Sequence, residues 1–267
     1  MTLLFDLDGT LTASSEGIVK SVQYALAWFG IEEHDPARQR SWLGPPLRPT
    51  FARYGLSPAQ VEEAVTAYRE RFEAVGMFEN RLYGGIPELL AELRDRGHTL
   101  AIASSKPEKF VRTIATHFSI DGYFVFMGGA QMDGGRSGKA EIIAYVLAAL
   151  GVNPRGDARD TNGSTGADVA AESPPGTGTA AQKTPRDSAA PAPGAPTPGA
   201  AASRVSPAVW MIGDREHDIL GAKAAGVHSI GVLYGYGSRE ELEAAGADRM
   251  AETVRKLGHL LTGLDAE

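Results

Sequence analysis

Short apolar segments alternate with helical patterns through the second part of the chain. Apolar runs of strand length occupy residues 98–103, 123–127, 209–212 and 228–233, and a stretch with helical periodicity lies between each run and the next. This alternation is typical of βαβ units, in which parallel strands form one sheet and helices cover both faces. The opening run, residues 2–5, has the same buried-strand character, so we predict that it joins this sheet.

Residues 14–80 follow a different pattern, with helical periodicity alone. A helix is predicted to begin at the N-cap residue Ser14, and a proline-rich segment, residues 44–49, interrupts the helices. We therefore predict an α/β fold with a doubly wound parallel sheet and an inserted, small, all-helical domain. Residues 1–13 and 81–267 would form the core, and residues 14–80 the insertion.

One segment within the core has the composition of a disordered chain. Residues 153–207 hold 9 of the 16 prolines and contain no leucine, isoleucine, methionine or aromatic residue. Such a segment buries too little apolar surface to offset the entropy of ordering, so we predict that it is a disordered insert. It would act either as a passive spacer or as a site of partner binding or modification.

Composition excludes several classes of function. The chain has no cysteine, so disulfides, thiolate metal sites and cysteine nucleophiles are ruled out. It has no apolar run of about 18 residues and enters its first strand at once, which predicts a cytoplasmic protein without a membrane span or signal peptide. The net charge of −7 argues against a nucleic acid as the main ligand.

Two aspartates follow the first predicted strand. Asp6 and Asp8 would lie at the carboxyl end of a core strand, the sheet edge where open α/β folds bind ligands. Two carboxylates there repel each other and lose solvation, which requires a cation or a proton nearby. A simple turn after the strand explains Asp8-Gly9 but does not explain Asp6.

Two further segments are predicted to reach the same edge. Ser104 and Ser105 directly follow the predicted strand at residues 98–103 and precede a helix that would begin at Pro107. This arrangement suits anion binding, although Ser104 could instead cap that helix. Lys139 would begin another helix, where a cation opposes the helix dipole. A bound anion would compensate for this, and the alternative is a solvated surface lysine.

A second acidic cluster follows the strand at residues 209–212. Asp214 and Asp218 are four residues apart and would share one face of a helix that starts in this turn. His217 is interpreted as a solvated or capping residue. Carboxylate oxygens without cysteine or a histidine cluster suit Mg²⁺, which favours a phosphate as co-ligand. One aspartate could then act as a nucleophile and a second as general acid and base.

These segments together resemble the four motifs of the haloacid dehalogenase superfamily. The matching residues are Asp6-Leu7-Asp8-Gly9-Thr10-Leu11, Ser104, Lys139 and Gly213-Asp214…Asp218. The resemblance implies a Rossmann-like core, a mobile helical cap formed by the insertion, and phosphohydrolase activity. It also covers the whole chain except residues 153–207.

The resemblance assigns a role to each matching residue. Asp6 would be the nucleophile and Asp8 the general acid and base. Ser104 and Lys139 would hold the phosphoryl group, and we expect Gly9, Thr10 and Ser105 to assist them. The Mg²⁺ ligands would be Asp6, the backbone carbonyl of Asp8 and Asp214, with Asp218 in support.

Five segments of the chain, at residues 44–47, 104–107, 136–139, 213–218 and 231–237, resemble the phosphoglycolate-phosphatase-like branch, and within it bacterial 5′-nucleotidase-like members. The substrate would then be a small organic phosphate of the nucleoside 5′-monophosphate or 2-phosphoglycolate type. Arg48 would contact the leaving group or remain a surface residue, and Ala13 stands where many relatives carry an aspartate. Alternative functions are a phosphomutase or phosphotransferase, or a phosphoprotein-directed signalling module that uses the insert.

Overall fold

Six parallel strands form one sheet in the order β3-β2-β1-β4-β5-β6. The computed structural model describes residues 1–133, 135–153 and 206–264. Within these residues the strands are β1 (Thr2–Phe5), β2 (Thr99–Pro107), β3 (Phe126–Ala130), β4 (Ser206–Gly213), β5 (Val227–Val232) and β6 (Arg249–Ala251). The helices are α1 (Ser15–Ala27), α2 (Pro36–Arg40), α3 (Leu47–Ala52), α4 (Pro58–Ala74), α5 (Ile86–Asp95), α6 (Glu108–His117), α7 (Lys139–Ala149), α8 (Glu216–Ala225), α9 (Arg239–Ala245) and α10 (Val254–Leu264).

The first strand lies in the middle of the sheet. Leu4 of β1 stands opposite Ala101 of β2 on one side and Met211 of β4 on the other. The chain builds β2 and β3 on the first side and then crosses over to build β4, β5 and β6 on the second. Strand order therefore reverses between β1 and β4, and their carboxyl ends form the crevice where such sheets bind ligands.

Both faces of the sheet are covered, which confirms the doubly wound architecture. Leu3 and Phe5 of β1 pack in a core that includes residues of α5, α6 and α10. Leu4, which points to the opposite face, packs in a second core with residues of α7 and α8. Alternate residues of β1 thus enter different cores, as the period of two along a strand requires.

The insertion between β1 and α5 is helical, as predicted, and contains α1 to α4. Its two connections to the sheet run side by side. The backbone N–H of Ala13 donates to the carbonyl of Arg81 over 2.7 Å, and that of Tyr83 donates to the carbonyl of Leu11 over 3.1 Å. This paired linker coincides with the predicted limits of the insertion, whose boundaries as a separate domain stay a prediction.

Two local predictions about strand ends are wrong. The segment at 121–123 forms a 3₁₀ turn, closed by a hydrogen bond from the backbone N–H of Phe124 to the carbonyl of Asp121, so β3 begins only at Phe126. Strand β2 continues past Ala103 because Pro107 still pairs with Ala130 after an irregularity. Pro107 is therefore the N-cap of α6 and not its first residue.

The predicted disordered insert falls almost wholly on residues that the structure does not describe. Residues 154–205 of the 153–207 segment are outside the described residues. The predicted end of the segment, residue 207, is wrong, because β4 already begins at Ser206. In the part of the chain that is described, no helix combines the length and the apolar character needed to cross a membrane.

Candidate active site

The loop after β1 places its first carboxylate directly at the crevice. The backbone N–H of Asp6 donates to the carbonyl of Ile212 over 2.9 Å, which extends the β1–β4 pairing by one residue. The chain then turns at Gly9, whose φ of +85° favours glycine. A Cβ on Gly9 would overlap the carboxylate of Asp214, so the absence of a side chain also allows the two acidic loops to approach.

The loop after β4 buries two carboxylates. Oδ2 of Asp214 accepts a hydrogen bond from the backbone N–H of Tyr236 at 2.8 Å, and Oδ1 accepts one from the Thr10 hydroxyl at 3.2 Å. Oδ2 of Asp218 accepts from the backbone N–H of Arg215 at 3.1 Å and so caps the start of α8. Both aspartates are thereby fixed by the backbone of their own and neighbouring loops.

Lys139 joins the two acidic loops. Its Nζ lies 2.9 Å from Oδ1 of Asp6 and 2.7 Å from Oδ1 of Asp218, and it donates to the carbonyl of Ala103 over 3.0 Å. The residue is only 7% exposed, which excludes the alternative of a solvated surface lysine. Gly221 on α8 leaves room for this side chain, since a Cβ there would lie 2.5 Å from Cγ of Lys139.

The cluster holds more negative than positive charge. Carboxylate oxygens of Asp6, Asp214 and Asp218 all lie within 4.8 Å of one another. Burial raises the pKa of Asp6 to about 6, although Lys139 opposes the shift, and burial and the charge of Asp218 raise the pKa of Asp214. Burial disfavours the charged Lys139, but Asp218 and Asp6 outweigh it and raise the pKa of the lysine.

This donor set fits a hard divalent cation. Three buried carboxylates lie close together and the one buried lysine contacts only two of them, Asp6 and Asp218, so a further positive charge would offset both their repulsion and their desolvation. All the available ligand atoms are oxygens, which is the set that Mg²⁺ prefers. The structure thus brings together three of the predicted metal-binding side chains, and it shows Asp218 in contact with Lys139. The supporting role of Asp218 at the metal stays a prediction.

Asp8 belongs to a separate pair. Its Oδ2 accepts from Nζ of Lys106 at 2.7 Å, while its Oδ1 is buried without a hydrogen-bond partner among the described residues. The lysine side chain is 6% exposed and lies over the ring of Phe72 from α4, with Nζ 4.5 Å from the ring centroid. One oxygen of Asp8 is therefore paired with a buried cation, and the other has no partner among the described residues.

Sequence reasoning gave no role to Lys106. The sequence did offer a sign of such a role, because Lys106 directly follows Ser104 and Ser105 in the segment predicted to bind an anion. Its position depends on β2 continuing to Pro107, and the sequence pattern predicted that β2 ends at Ala103. The extra strand residues carry the lysine to Asp8.

The serines before α6 do not cap that helix. The Ser104 hydroxyl is buried and accepts a hydrogen bond from the backbone N–H of Lys106 at 3.3 Å, four residues before α6 begins at Glu108. The capping alternative is therefore wrong. Ser104 follows Ala103, whose carbonyl receives Lys139, so it lies beside the carboxylate cluster, and Ser105 is half-buried next to it.

Two residues considered in the sequence lie apart from this cluster. Arg48 is exposed and forms two hydrogen bonds with Glu62, at 2.6 and 2.9 Å, on the surface of the insertion. Its contact with a leaving group stays a prediction. His217 is exposed, in agreement with its interpretation as a solvated residue.

The sheet topology and this site define a class of protein, a hydrolase with paired aspartates at the end of its first strand. Residues 3–157 match the family model of haloacid dehalogenase-like hydrolases, and residues 186–259 match a second model of similar hydrolases. The chain belongs to the haloacid dehalogenase-like hydrolase family. The resemblance in the four sequence motifs is thereby confirmed.

Relatives of the chain include enzymes of phosphate chemistry. A 5′-nucleotidase of Pseudomonas aeruginosa is 42% identical over 91% of this chain and 86% of its own length. The tyrosine-protein kinase PtkA of Mycobacterium tuberculosis is 32% identical over 90% of this chain, which spans only 65% of that kinase. A solved structure of a predicted phosphatase from Clostridium acetobutylicum superimposes with a TM-score of 0.76 at 34% identity, covering 98% of both chains.

Proposed function

We propose that the protein is a Mg²⁺-dependent phosphomonoesterase that hydrolyses a small organic phosphate through an aspartyl-phosphate intermediate. The observation that carries this proposal is the division of the first acidic pair. Asp6 contacts Lys139 within the carboxylate cluster, whereas Asp8, two residues later, pairs with Lys106 and keeps one oxygen without a partner. Two chemically different carboxylates at one strand end suit a nucleophile and a proton carrier.

Each proposed step would use a residue that lies near the carboxyl ends of the strands. A carboxylate oxygen of Asp6 attacks the phosphorus atom, and Asp8 protonates the oxygen of the leaving group. Asp8 then accepts a proton from water, and the resulting hydroxide displaces phosphate from Asp6. Lys139 and the Ser104 hydroxyl would bind the oxygens of the transferred phosphoryl group, while buried Lys106 orients Asp8.

Asp6, Asp214 and the backbone carbonyl of Asp8 would hold the Mg²⁺ ion. When bound, the ion would neutralise charge on the phosphoryl group. Thr10 and the backbone of Tyr236 fix the orientation of Asp214, and Arg215 fixes that of Asp218 through its backbone N–H. The similarity to a 5′-nucleotidase supports a small organic phosphate as the substrate. The motifs that resemble the phosphoglycolate-phosphatase-like branch support the same substrate class.

Phosphate release from p-nitrophenyl phosphate, nucleoside 5′-monophosphates and 2-phosphoglycolate, with and without Mg²⁺, tests the proposal. We expect Mg²⁺-dependent release, and a loss of about 10⁴-fold or more in Asp6→Asn because the covalent route is closed. Asp95→Asn, a change at an exposed aspartate on α5, is the matched control. Circular dichroism checks that both variants fold, and full activity in a folded Asp6→Asn variant contradicts the scheme.

A second candidate is a phosphotransferase that passes the phosphoryl group to an acceptor other than water. The similarity to a protein named as a tyrosine kinase, over 90% of this chain, favours it. The same first step would operate, and only the acceptor would differ. Release of one free phosphate for each substrate molecule consumed supports the hydrolase. Formation of a phosphorylated acceptor without free phosphate supports the transferase.

A further inference from the structure

The loop after β5 carries a motif that no step of the proposed reaction uses. Its residues, Leu233-Tyr234-Gly235-Tyr236-Gly237, belong to one of the five segments that resemble the phosphoglycolate-phosphatase-like branch. They follow β5, which pairs in parallel with β4, so they emerge at the same carboxyl edge of the sheet as the two acidic loops. We call residues 233–237 the tyrosine loop.

The two glycines of the tyrosine loop allow it to lie directly against Asp214. A Cβ on Gly235 would overlap the Asp214 side chain and the backbone carbonyl of Gly9, and a Cβ on Gly237 would overlap the backbone carbonyl of Asp214. Neither Gly235 nor Gly237 has a φ in the left-handed region. Close approach to the acidic loops, and not an unusual backbone conformation, therefore requires glycine at both positions.

Tyr234 anchors the residue that orients one oxygen of Asp214. Its hydroxyl donates to the backbone carbonyl of Thr10 over 3.1 Å, and the Thr10 hydroxyl donates in turn to Oδ1 of Asp214 over 3.2 Å. Burial raises the pKa of Tyr234, so the hydroxyl keeps the proton that it donates. Tyr83, which follows the linker, packs edge-on against the Tyr234 ring with the centroids 5.0 Å apart.

Tyr236 connects the other oxygen of Asp214 to the helical insertion. Its backbone N–H donates to Oδ2 of Asp214, and its hydroxyl lies 3.2 Å from the hydroxyl of Ser14. Ser14 is buried and is the N-cap residue of α1, yet its side chain forms no capping hydrogen bond with that helix. The serine hydroxyl is thus used to hold Tyr236 and not to cap α1.

We propose that Tyr234 and Tyr236 are positioning residues for Asp214, and that their hydroxyls raise the affinity of the carboxylate cluster for its divalent cation without contacting the ion. The inference rests on the proposed Mg²⁺ site. Lys139 contacts the other two carboxylates of the cluster, whereas Asp214 has no ion pair among the described residues and depends on neutral donors for its orientation. A metal ligand that is held in place before the ion arrives binds it more tightly than one that must first be ordered.

Calorimetric titration of the protein with Mg²⁺ alone measures this contribution. We expect Tyr234→Phe, Tyr236→Phe and Ser14→Ala each to lower Mg²⁺ affinity by about tenfold, the size typical of residues that orient metal ligands. Tyr236→Phe and Ser14→Ala combined should lose no more affinity than either alone, because both remove the same hydrogen bond. Tyr234→Phe and Tyr236→Phe combined should lose about 100-fold, because they act on different oxygens of Asp214.

Two variants away from the carboxyl edge of the sheet are matched controls. Ser229→Ala removes a buried hydroxyl that donates to Asp248 over 3.0 Å, and Tyr123→Phe removes a tyrosine hydroxyl from the turn that precedes β3. Ser229→Ala should lower the urea midpoint about as much as Ser14→Ala does, yet both controls should bind Mg²⁺ with the affinity of the wild type. At saturating Mg²⁺ the two tyrosine-loop variants should regain a kcat near that of the wild type, since the reacting atoms are unchanged.

The outcomes separate this inference from the proposed function. Wild-type Mg²⁺ affinity in both tyrosine-loop variants overturns the inference, and so does an equal loss of affinity in Ser229→Ala, which would indicate general destabilisation. A kcat that saturating Mg²⁺ does not restore also overturns it. In each of these cases Mg²⁺-dependent hydrolysis of p-nitrophenyl phosphate by the wild type still supports the phosphatase. A wild-type protein that binds no Mg²⁺ overturns both the inference and the proposed metal site.

Discussion

The two acidic loops at the carboxyl edge of the sheet follow similar strands, but their aspartates differ in how their oxygens are bound. Each follows a buried strand, and each carries two aspartates, in the loop after β1 (residues 6–12) and the loop after β4 (residues 213–218). In the second loop, Asp214 is held through both oxygens by neutral donors, and Asp218 by a backbone N–H and Lys139. In the first loop, Oδ1 of Asp8 is buried with neither a hydrogen bond nor an ion pair among the described residues, whereas Oδ1 of Asp218, which also lacks a well-aligned hydrogen bond, lies 2.7 Å from Nζ of Lys139.

We propose that this difference separates metal binding from proton transfer at the sheet edge. Carboxylates whose oxygens are already oriented by the backbone suit a metal, because their geometry is set before the ligand binds. A carboxylate with a free oxygen can exchange a proton, which a proton carrier must do. We therefore assign binding chiefly to the loop after β4 and reaction chiefly to the loop after β1.

Among the tests of this comparison, Asp8→Asn is expected to have the largest effect. The substitution keeps the backbone carbonyl but removes proton transfer, so we expect kcat to fall by about 10² to 10⁴. Affinity for Mg²⁺, measured by calorimetric titration, should remain at the wild-type value because the Asp8 side chain faces Lys106 and not the carboxylate cluster. A large loss of Mg²⁺ affinity would show that the two loops are not separate in function.

The pH dependence of stability tests the charge of the metal-free cluster. The pKa of Asp6 is about 6 in the folded protein against 3.8 for an ordinary aspartate, so the folded state binds more protons between these values. Stability must then fall as the pH rises through this window, by about 3 kcal/mol from this group. The raised pKa of Asp214 extends the fall in the same direction.

Urea unfolding between pH 4 and 8 in the presence of a chelator measures this effect. The Asp6→Asn variant should show a shallower fall, because its amide does not ionise, and Asp95→Asn should follow the wild-type curve. Saturating Mg²⁺ should flatten the wild-type curve, since the cation offsets the repulsion. An Asp6→Asn curve with the same slope as the wild type would contradict the assigned shift in Asp6, because carboxyls with lowered pKa values, such as Glu33 and Glu79, contribute equally to both curves.

A smaller effect is expected from Asp218→Asn. Asp218 contacts Lys139 and caps α8, so its substitution should disturb the orientation of the cluster rather than remove the reacting atoms. We expect Mg²⁺ affinity to fall by about 10- to 100-fold, as for other residues that orient metal ligands. If calorimetry shows unchanged affinity while kcat collapses at saturating Mg²⁺, Asp218 belongs with the reacting loop instead.

The smallest effect concerns the connection between the loop after β4 and the insertion. The Arg215 side chain donates to the backbone carbonyl of Leu43 and, over 2.7 Å, to Glu241. Arg215→Ala should destabilise this contact by about 1 kcal/mol and raise KM several-fold while kcat changes little. Arg239→Ala, which removes an exposed arginine paired with Glu252, is the control and should leave KM unchanged.

The site was predictable where a motif coincides with a strand end. Asp6 and Asp214 follow short apolar runs that predict buried core strands. Parallel strands bring their carboxyl ends to one edge of the sheet, so the two aspartates are predicted to lie close together. Lys106 was missed because its place depends on the pairing of Pro107 with Ala130, a contact between residues far apart in the chain. The start of β3 was predicted too early because Tyr123 belongs to a 3₁₀ turn and the backbone N–H of Phe124 closes that turn, so β3 begins only at Phe126.

The sheet class, the helical insertion and the carboxylate-rich character of the site follow from the sequence alone, because apolar periodicity and motif spacing are local properties. The three-dimensional fold sets which charges meet: Lys139 with Asp6 and Asp218, and Lys106 with Asp8. It also brings the tyrosine loop against Asp214. The physical reason is that the energy of a charge depends on its burial and its neighbours, and both are set by chain segments distant in sequence.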